Sequence, residues 1–161
     1  MAILFTTSRK PSRRTRAFAR ELCNSFPCCV FYSRGKANIA KLVGIAKREG
    51  LDFIIIVLES QGNPSALRII KIDDDSWHYT HLIKLKLHKL RKEFLKKKVA
   101  IEELQLKLKN RALKRVLDML GIENIKSEFV FKEEKSFLSF FYKNKEIGPR
   151  FEIYDIKRLS L

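Results

Sequence analysis

The stretch FIIIVL, from Phe53 to Leu58, decides the fold class of this 161-residue chain. All six side chains are apolar, which is typical of a central strand that is covered on both faces of its sheet. Before it, Asn38 fits the N-cap of a helix and Gly50 fits the residue that follows the C-terminus of that helix. After it, the turn SQGNP (Ser60–Pro64) leads into the apolar strand ALRIIKI. Helices that alternate with strands in this way predict an α/β (α+β) fold.

The same alternation precedes this stretch. Ile3–Thr6 predicts a short strand, and Ser12 is a suitable N-cap for a helix that ends near Ser25. At 100° per residue, Phe18 and Leu22 fall on one face of that helix, so this face should be buried. The segment CCVFY (Cys28–Tyr32) then predicts a second strand.

The second half of the chain shows further periodic segments. Its predicted elements are a half-exposed strand with Ile83, Leu85 and Leu87 on one face, a strand or helix at Leu104–Leu108, a helix with the stripe Leu113, Val116, Leu117 and Leu120 that ends at Gly121, the strands Glu128–Lys132 and Phe137–Lys143, and a last strand after IGPR.

The charge of the chain limits the classes of partner. It has 34 lysine and arginine residues against 18 aspartate and glutamate residues, a net charge of +16 and a pI near 10.0. This excess favours a polyanion as partner: RNA, DNA or an acidic membrane surface. The longest apolar run, Phe53–Leu58, is far shorter than the roughly 20 residues that span a bilayer, so we expect no membrane partner. The start, MAILFTTSRK, lacks the charged region and long apolar region of a signal peptide, and we expect a cytoplasmic protein.

The cysteines and histidines predict no metal site. Cys23, Cys28 and Cys29 form no CxxC pair, and we expect them to be buried structural thiols in a reducing compartment, although a metal site that also uses histidines stays conceivable. His78 and His81 are three residues apart in an expected strand, so they should face opposite sides of it and make a poor acid–base pair.

Sequence motifs for a bound cofactor or a catalytic nucleophile are missing. The six glycines stand at positions 35, 44, 50, 62, 121 and 148, and this spacing allows no GxGxxG, no P-loop and no GxxG clamp. HExxH and GxSxG are absent as well. We therefore predict no cofactor, no small-molecule substrate, no catalytic residues and no enzyme activity.

Basic residues crowd the start of the first predicted helix. Cations are disfavoured at a helix N-terminus, which carries a positive partial charge. The free N–H groups there attract phosphate, and arginine side chains add bidentate donors to the same anion. The cluster thus predicts a surface that binds an RNA phosphate backbone, formed by Arg9, Lys10, Arg13, Arg14, Arg16 and Arg20 and extended by Arg34 and Lys36 of the turn SRGK. A second basic run, Lys89–Lys98, is either a solvated face or a further RNA contact.

Four segments resemble successive landmarks of the Brix domain, and they extend from Thr6 to Leu159. They are TTSRKPSRRTRAFAREL, YSRGKANIAKL, ESQGNPSALRI and IGPRFEIYDIKRL. The segment Lys89–Asn110 has no match. Arg9, Lys10, Arg13, Arg14 and Arg16 match the N-terminal motif of the family, and Gly148, Pro149, Arg150 and Phe151 match its C-terminal motif.

This resemblance implies a fold of two similar α/β halves related by a pseudo-two-fold axis, as in the anticodon-binding domain of some aminoacyl-tRNA synthetases. The halves would cover about residues 1–88 and 99–161 of a single domain. An internal similarity between GNPSALRIIKI (Gly62–Ile72) and GPRFEIYDI (Gly148–Ile156) fits such a duplication. Within the C-terminal motif, Gly148 and Pro149 would shape a turn, Phe151 would lie in the core, and Arg150 would contact RNA.

The resemblance further implies a ribosome biogenesis factor that binds rRNA and assists pre-rRNA processing without catalysis, with a guide RNA and other assembly proteins as further partners. Two alternatives stay open. One is a nuclease or other RNA-modifying enzyme, which needs carboxylates or histidines that converge in one cleft. The other is a protein-interaction module whose basic surface docks an acidic partner.

Overall fold

The computed structural model describes residues 2–159, which form one mixed sheet and three α-helices. In chain order the elements are β1 (Ile3–Thr7), α1 (Arg13–Ser25), β2 (Cys29–Phe31), α2 (Ile39–Arg48), β3 (Phe53–Ser60), β4 (Asn63–Ile72), β5 (Trp77–Lys89), a 3₁₀ turn (Arg91–Glu93), β6 (Gln105–Lys107), α3 (Arg111–Met119), β7 (Phe129–Glu134), β8 (Phe137–Tyr142), β9 (Lys145–Glu146) and β10 (Arg150–Arg158). The predicted strands and helices are therefore present, and the ambiguous segment Leu104–Leu108 contains a short strand. No helix in this part of the chain is long and apolar enough to cross a membrane.

The order of the strands is β2-β1-β3-β4-β5-β10-β8-β7-β6, with β9 paired to β8. When β2 is left out, the sheet reads the same from both edges. The outer pairs, β1 with β3 and β6 with β7, are parallel, and all the pairs between them are antiparallel. The centre of this symmetry lies between β5 and β10. The topology confirms the predicted α/β fold with two similar halves, while the division at about 1–88 and 99–161 stays a prediction.

The helices cover both faces of the sheet. On one face α1 and α3 bury Phe18, Leu22, Val116 and their neighbours in a single core. On the other face α2 buries Leu42 and its neighbours against β1, β3 and β4. Phe53–Val57 is buried throughout, which confirms that this strand is covered on both sides.

The internal similarity of the sequence does not align equivalent strands. It matches β4 with β10, but in the symmetric strand order the counterpart of β4 is β8 and that of β10 is β5. Half-exposed strands share a period of two, and this common period accounts for the similarity. Along the chain, α3 lies between β6 and β7, and α1 lies between β1 and β3. Because β6 is the counterpart of β1 and β7 that of β3, α3 is the counterpart of α1.

Two sequence-based expectations about cysteines and histidines are wrong. Cys23 is buried, and burial raises its pKa to about 12, but Cys28 is exposed in the turn before β2. His78 and His81 line the same groove, because the register of β4 and β5 shifts at Thr80 and this extra residue reverses the alternation. Among residues 2–159, no three histidine, cysteine, aspartate or glutamate side chains converge in a way that could hold a metal ion.

Candidate nucleic-acid interface

The helix α1 presents three arginines to solvent on the face opposite its buried stripe. Arg13, Arg16 and Arg20 are exposed, and none of the three forms an ion pair within residues 2–159. The Arg20 guanidinium lies 4.4 Å from the centre of the Phe31 ring, which holds it against β2 without neutralising it. We call these three residues the basic face of α1. Their charges are free to meet an anion.

The start of α1 is capped by a carboxylate from β3. The Ser12 side chain accepts a hydrogen bond from the Thr15 N–H at 3.1 Å, as the sequence predicted for an N-cap. Glu59, near the end of β3, accepts from the Ser12 N–H and from the Thr15 hydroxyl, both at 2.7 Å. The bond from Thr15, followed by that from the Ser12 N–H, holds the pKa of Glu59 below its ordinary value. The first turn of α1 contains no acidic residue, and Glu59 of β3 supplies a carboxylate in its place.

The Glu59 carboxylate places a negative charge where a phosphate would otherwise bind. We expected the free N–H groups at the start of α1 to attract an anion, but a carboxylate already lies there. Because the negative charge of Glu59 disfavours a second anion at this end of the helix, we expect the arginine side chains, rather than the N–H groups of the helix, to bind phosphate.

We expect Glu59→Gln to destabilise the fold, by less than about 1 kcal/mol at neutral pH because the carboxylate is only half-buried. The pKa of Glu59 is lowered in the folded state, so its contribution is present above the unfolded value of 4.5 and disappears as the pH falls through the folded value. Urea unfolding at pH 7 and near pH 3 should show a larger difference between the two proteins at pH 7. The matched control is Glu102→Gln, at an exposed carboxylate. A difference of equal size at both pH values would contradict the role given to the charge of Glu59.

The turn SRGK is fixed to the end of β1 by Arg34. Its Nε donates to the Ala37 carbonyl at 2.7 Å, and its Nη1 donates to the Thr7 carbonyl at 3.0 Å. Partial burial, together with the nearby charge of Arg9, lowers the pKa of Arg34. Lys36 is exposed on the same turn. Arg34 therefore shapes the turn, whereas Lys36 and Arg9 point their charges to solvent.

Exposed cations also occupy the loop before α1. Arg9 and Lys10 are both exposed, and Lys10 adopts a positive φ of 51° between β1 and the helix. Arg14 is half-buried, and its Nη1 lies 3.2 Å from Oε1 of Glu93. Arg14 is thus the one member of the predicted cluster on α1 whose charge is paired within the described residues.

Arg150 is engaged inside the protein. It donates through Nε, at 2.7 Å, and through Nη2 to the carboxylate of Glu146, which also accepts from the Ser139 hydroxyl. Burial alone would raise the pKa of Glu146, but the bonds from Arg150 and Ser139 outweigh it and lower that pKa. The guanidinium also lies 5.4 Å from the centre of the Phe94 ring. Phe94 follows Glu93, the partner of Arg14, so Arg14 and Arg150 approach the same turn from two sides.

Arg91 has a role that the sequence analysis missed. It lies within the basic run Lys89–Lys98, yet it is only 3% exposed. Its Nε and Nη2 donate to the Gly148 carbonyl at 2.9 and 2.7 Å, and Nη2 also donates to the Ser25 hydroxyl at 2.6 Å. Burial lowers its pKa to about 10, so it stays charged at neutral pH. The available signal was its position directly after Leu90 and shortly before Phe94 and Leu95.

Glu21 of α1 completes this arrangement. Its carboxylate accepts from the N–H groups of Arg91 and Lys92, at 2.6 and 3.2 Å. Burial raises the pKa of Glu21 in spite of these bonds. The segment after β5 is thereby attached to α1, while Lys92 and the lysines from 96 to 98 are exposed. Within the basic run Lys89–Lys98, Arg91 therefore anchors the segment, whereas the exposed lysines form a solvated surface.

Comparison with known proteins gives several relatives. The chain is 34% identical over 143 residues to a probable Brix domain-containing ribosomal biogenesis protein of Pyrococcus abyssi; the match covers 85% of this chain and 64% of the relative. The chain is therefore similar to a Brix domain-containing protein over most of its own length. A relative of the same description from Thermococcus kodakarensis is 36% identical over 91 residues, which are 56% of this chain and 44% of that protein. The chain thus spans less than two thirds of the length of these relatives, and no protein-family model matches it.

Two solved structures share the fold of this chain. The crystal structure of Mil, an archaeal Imp4-like protein, has a TM-score of 0.73 at 19% identity, covering 96% of this chain and 99% of that one. A probable ribosomal biogenesis protein from Aeropyrum pernix has a TM-score of 0.68 at 21% identity, covering 94% of both chains. At these identities the likeness concerns the fold alone.

The C-terminal motif, Gly148–Phe151, is largely structural. Gly148 adopts a positive φ of 66°, and Phe151 is buried with its ring 5.6 Å from that of Phe18, edge to face. These positions confirm the predicted turn and the predicted core residue. The Gly148 carbonyl of this motif also accepts a hydrogen bond from Arg91, which is the only buried arginine among residues 2–159.

Proposed function

We propose that this chain is a Brix domain and a ribosome biogenesis factor that binds rRNA through the basic face of α1 and assists pre-rRNA assembly without catalysis. The observation that carries the proposal is the exposure of Arg13, Arg16 and Arg20 on one helix face, without ion pairs in the described chain. The net charge of +16 supports a polyanionic partner. The names of the relatives support the process in which that partner is bound.

The cations around this face have different tasks in the proposal. Arg9, Lys10 and Lys36 extend the basic face of α1 along the phosphate backbone, since all three are exposed. Arg14 and Arg150 contact RNA in competition with the carboxylates of Glu93 and Glu146. Arg34 holds the turn that presents Lys36.

The mechanism follows from the kinds of group present. Arginine and lysine side chains neutralise phosphates, so affinity depends on salt, and specificity comes from RNA shape and unpaired bases. The protein would hold pre-rRNA segments in a geometry that favours their correct pairing, with a guide RNA and assembly proteins as further partners in the cytoplasm.

We expect the triple variant Arg13→Gln, Arg16→Gln, Arg20→Gln to lose at least about tenfold in affinity for single-stranded pre-rRNA fragments. Three lost phosphate contacts should lower the slope of log affinity against log salt by about 2. The matched control removes three exposed cations from α2, on the other face of the sheet: Lys41→Gln, Lys47→Gln, Arg48→Gln. Filter binding across a salt series measures both quantities. Equal losses in the two triple variants would reduce the interaction to general charge and refute the assigned face.

The same preparation tests the two alternatives. RNA incubated with the protein and Mg²⁺ or Mn²⁺ should stay intact, and cleavage that is lost with a single Asp or Glu substitution would favour a nuclease. Tight binding of an acidic protein, with weak and length-independent binding of RNA, would favour the protein-interaction module.

A further inference from the structure

A second basic groove lies far from the start of α1. It has a volume of about 800 Å³ and is bordered by the β4–β5 hairpin, by α3 and by the end of β10. Its cations come one from each element: Lys71, Arg115 and Arg158. None of the three has an ion-pair partner within the described residues. We call it the hairpin groove.

The lining of the hairpin groove is one-sided in charge. Besides the three cations it contains two imidazoles and only uncharged side chains, with no carboxylate among the described residues that line it. Asp73 reaches His78 at its rim, where the Nδ1–Oδ2 distance is 3.2 Å. Cations that converge on a concave surface without carboxylates concentrate a positive potential there, and this favours an anion as the occupant.

A β-bulge in β5 shapes the side of the hairpin groove that carries the two histidines. Ile69 pairs with His81 and Ile70 pairs with Tyr79, so Thr80 is the extra residue that brings His78 and His81 to the same groove. The Thr80 carbonyl accepts from the Leu159 N–H at 2.8 Å, which fixes the end of β10 beside the bulge. The Nδ1 atom of His81 is buried and is the one buried side-chain nitrogen or oxygen of residues 2–159 without a hydrogen-bond partner. Bulges that redirect side chains in this way are frequent beside functional sites.

Resting on the function proposed above, we propose that the hairpin groove binds a phosphate of RNA through Lys71, Arg115 and Arg158, as a second contact apart from the basic face of α1. The symmetry of the fold supports a role for α3, the counterpart of α1. Glu133 of β7 accepts from the N–H groups of Lys109 and Asn110, before α3, as Glu59 of β3 accepts from Ser12 before α1. Each helix is therefore capped by a carboxylate from a neighbouring strand, with arginine on its exposed face.

The two contacts lie at opposite ends of β4. The Ser12 hydroxyl, at the start of α1, donates to the Gly62 carbonyl just before this strand, whereas Lys71 stands near its other end. Nine residues of strand separate them, which is about 30 Å at about 3.3 Å per residue. One RNA strand can engage both contacts only if it spans this distance. Engagement of both then makes the second contact intramolecular and strengthens binding.

The test compares Lys71→Gln, Arg115→Gln, Arg158→Gln with the α1 and α2 triple variants, which carry the same change in charge. RNA of about 20 nucleotides can bridge the contacts, whereas RNA of about four nucleotides, about 14 Å long when stacked, cannot. For the longer RNA we expect the groove variant to lose at least about tenfold in affinity relative to the α2 variant. For the shorter RNA the loss should not exceed about twofold, because the other contact remains.

A local readout separates this proposal from the function on which it rests. In the wild type and in the α1 variant, the four-nucleotide RNA should shift the imidazole resonances of His81, and in the groove variant it should not. If the α1 variant loses affinity while the groove variant behaves as the α2 variant does, the groove assignment alone is refuted. If the wild type binds no RNA, the proposed function fails. If polyglutamate of equal charge shifts His81 as strongly as RNA does, the groove takes an acidic protein segment and the RNA assignment is wrong.

Discussion

Replacement of Arg91 by Met is expected to lower the free energy of unfolding by about 3–5 kcal/mol, the size typical of removing one member of a buried charged network. The side chain is 3% exposed, and its loss leaves the Gly148 carbonyl and the Ser25 hydroxyl without their donor. The half-buried carboxylate of Glu21 also loses the favourable charge of the guanidinium, although that of Lys92 remains. Urea unfolding monitored by circular dichroism at neutral pH measures the effect.

The neighbour of Arg91 is its matched control. Lys92 is exposed, and Lys92→Met should change stability by no more than about 0.5 kcal/mol. In the double variant with Glu21→Gln, part of the loss should be recovered, because the carboxylate that lost the guanidinium charge is removed as well. A loss below about 1 kcal/mol for Arg91→Met would show that solvent replaces these bonds, and the segment after β5 would then not be anchored as described.

Gly148→Ala is the second large effect that we expect, a loss of about 2–5 kcal/mol in the free energy of unfolding. The positive φ of 66° is itself unfavourable for alanine by about 1–2 kcal/mol. A Cβ at this position would lie 2.7 Å from Cδ2 and 2.8 Å from Cε2 of Phe94, well inside contact distance. Displacing the ring would disturb two cation contacts, since the Lys89 ammonium lies 4.3 Å and the Arg150 guanidinium 5.4 Å from its centre. Overpacking of this kind adds about 1–3 kcal/mol.

A second glycine supplies the opposite result. Gly44 lies inside α2, and a Cβ added there would meet no atom within 4 Å beyond the backbone of its own helix, so Gly44→Ala should stabilise the protein by about 0.5–1 kcal/mol. Phe94→Ala combined with Gly148→Ala should remove the steric part of the loss and leave the conformational part. If Gly148→Ala were as harmless as Gly44→Ala, the close contact with Phe94 would not exist in solution.

Local sequence patterns predicted the features that depend only on residues close together in the chain. Ser12 caps α1 through Thr15, three residues away, and Asn38 caps α2 through the N–H of Lys41 in the same way, so both caps follow from the sequence. Phe53–Leu58 is apolar at consecutive positions, which requires cover on two faces whatever the rest of the chain does. These features gave the fold class.

What escaped prediction depends on residues far apart in the chain. Glu59 completes the cap of Ser12 across 47 positions, and Arg91 donates to Gly148 across 57. The periodic pattern of apolar residues does not indicate contacts between residues so far apart in the chain. The bulge at Thr80 defeated the rule of alternation, because one inserted residue turns every later side chain to the other face. The hairpin groove was therefore invisible in the sequence, although each of its cations could be counted there.

The place of β10 has a consequence for the order in which the fold can form. This strand follows all the others along the chain, yet it pairs with β5 on one side and with β8 on the other. Until it arrives, the 13-residue strand β5 presents one open edge, with Ile83, Leu85 and Leu87 on the face that becomes the core. Open edges of this length recruit strands from other chains. During synthesis the protein is therefore most exposed to aggregation in the interval before Arg150–Arg158 leaves the ribosome.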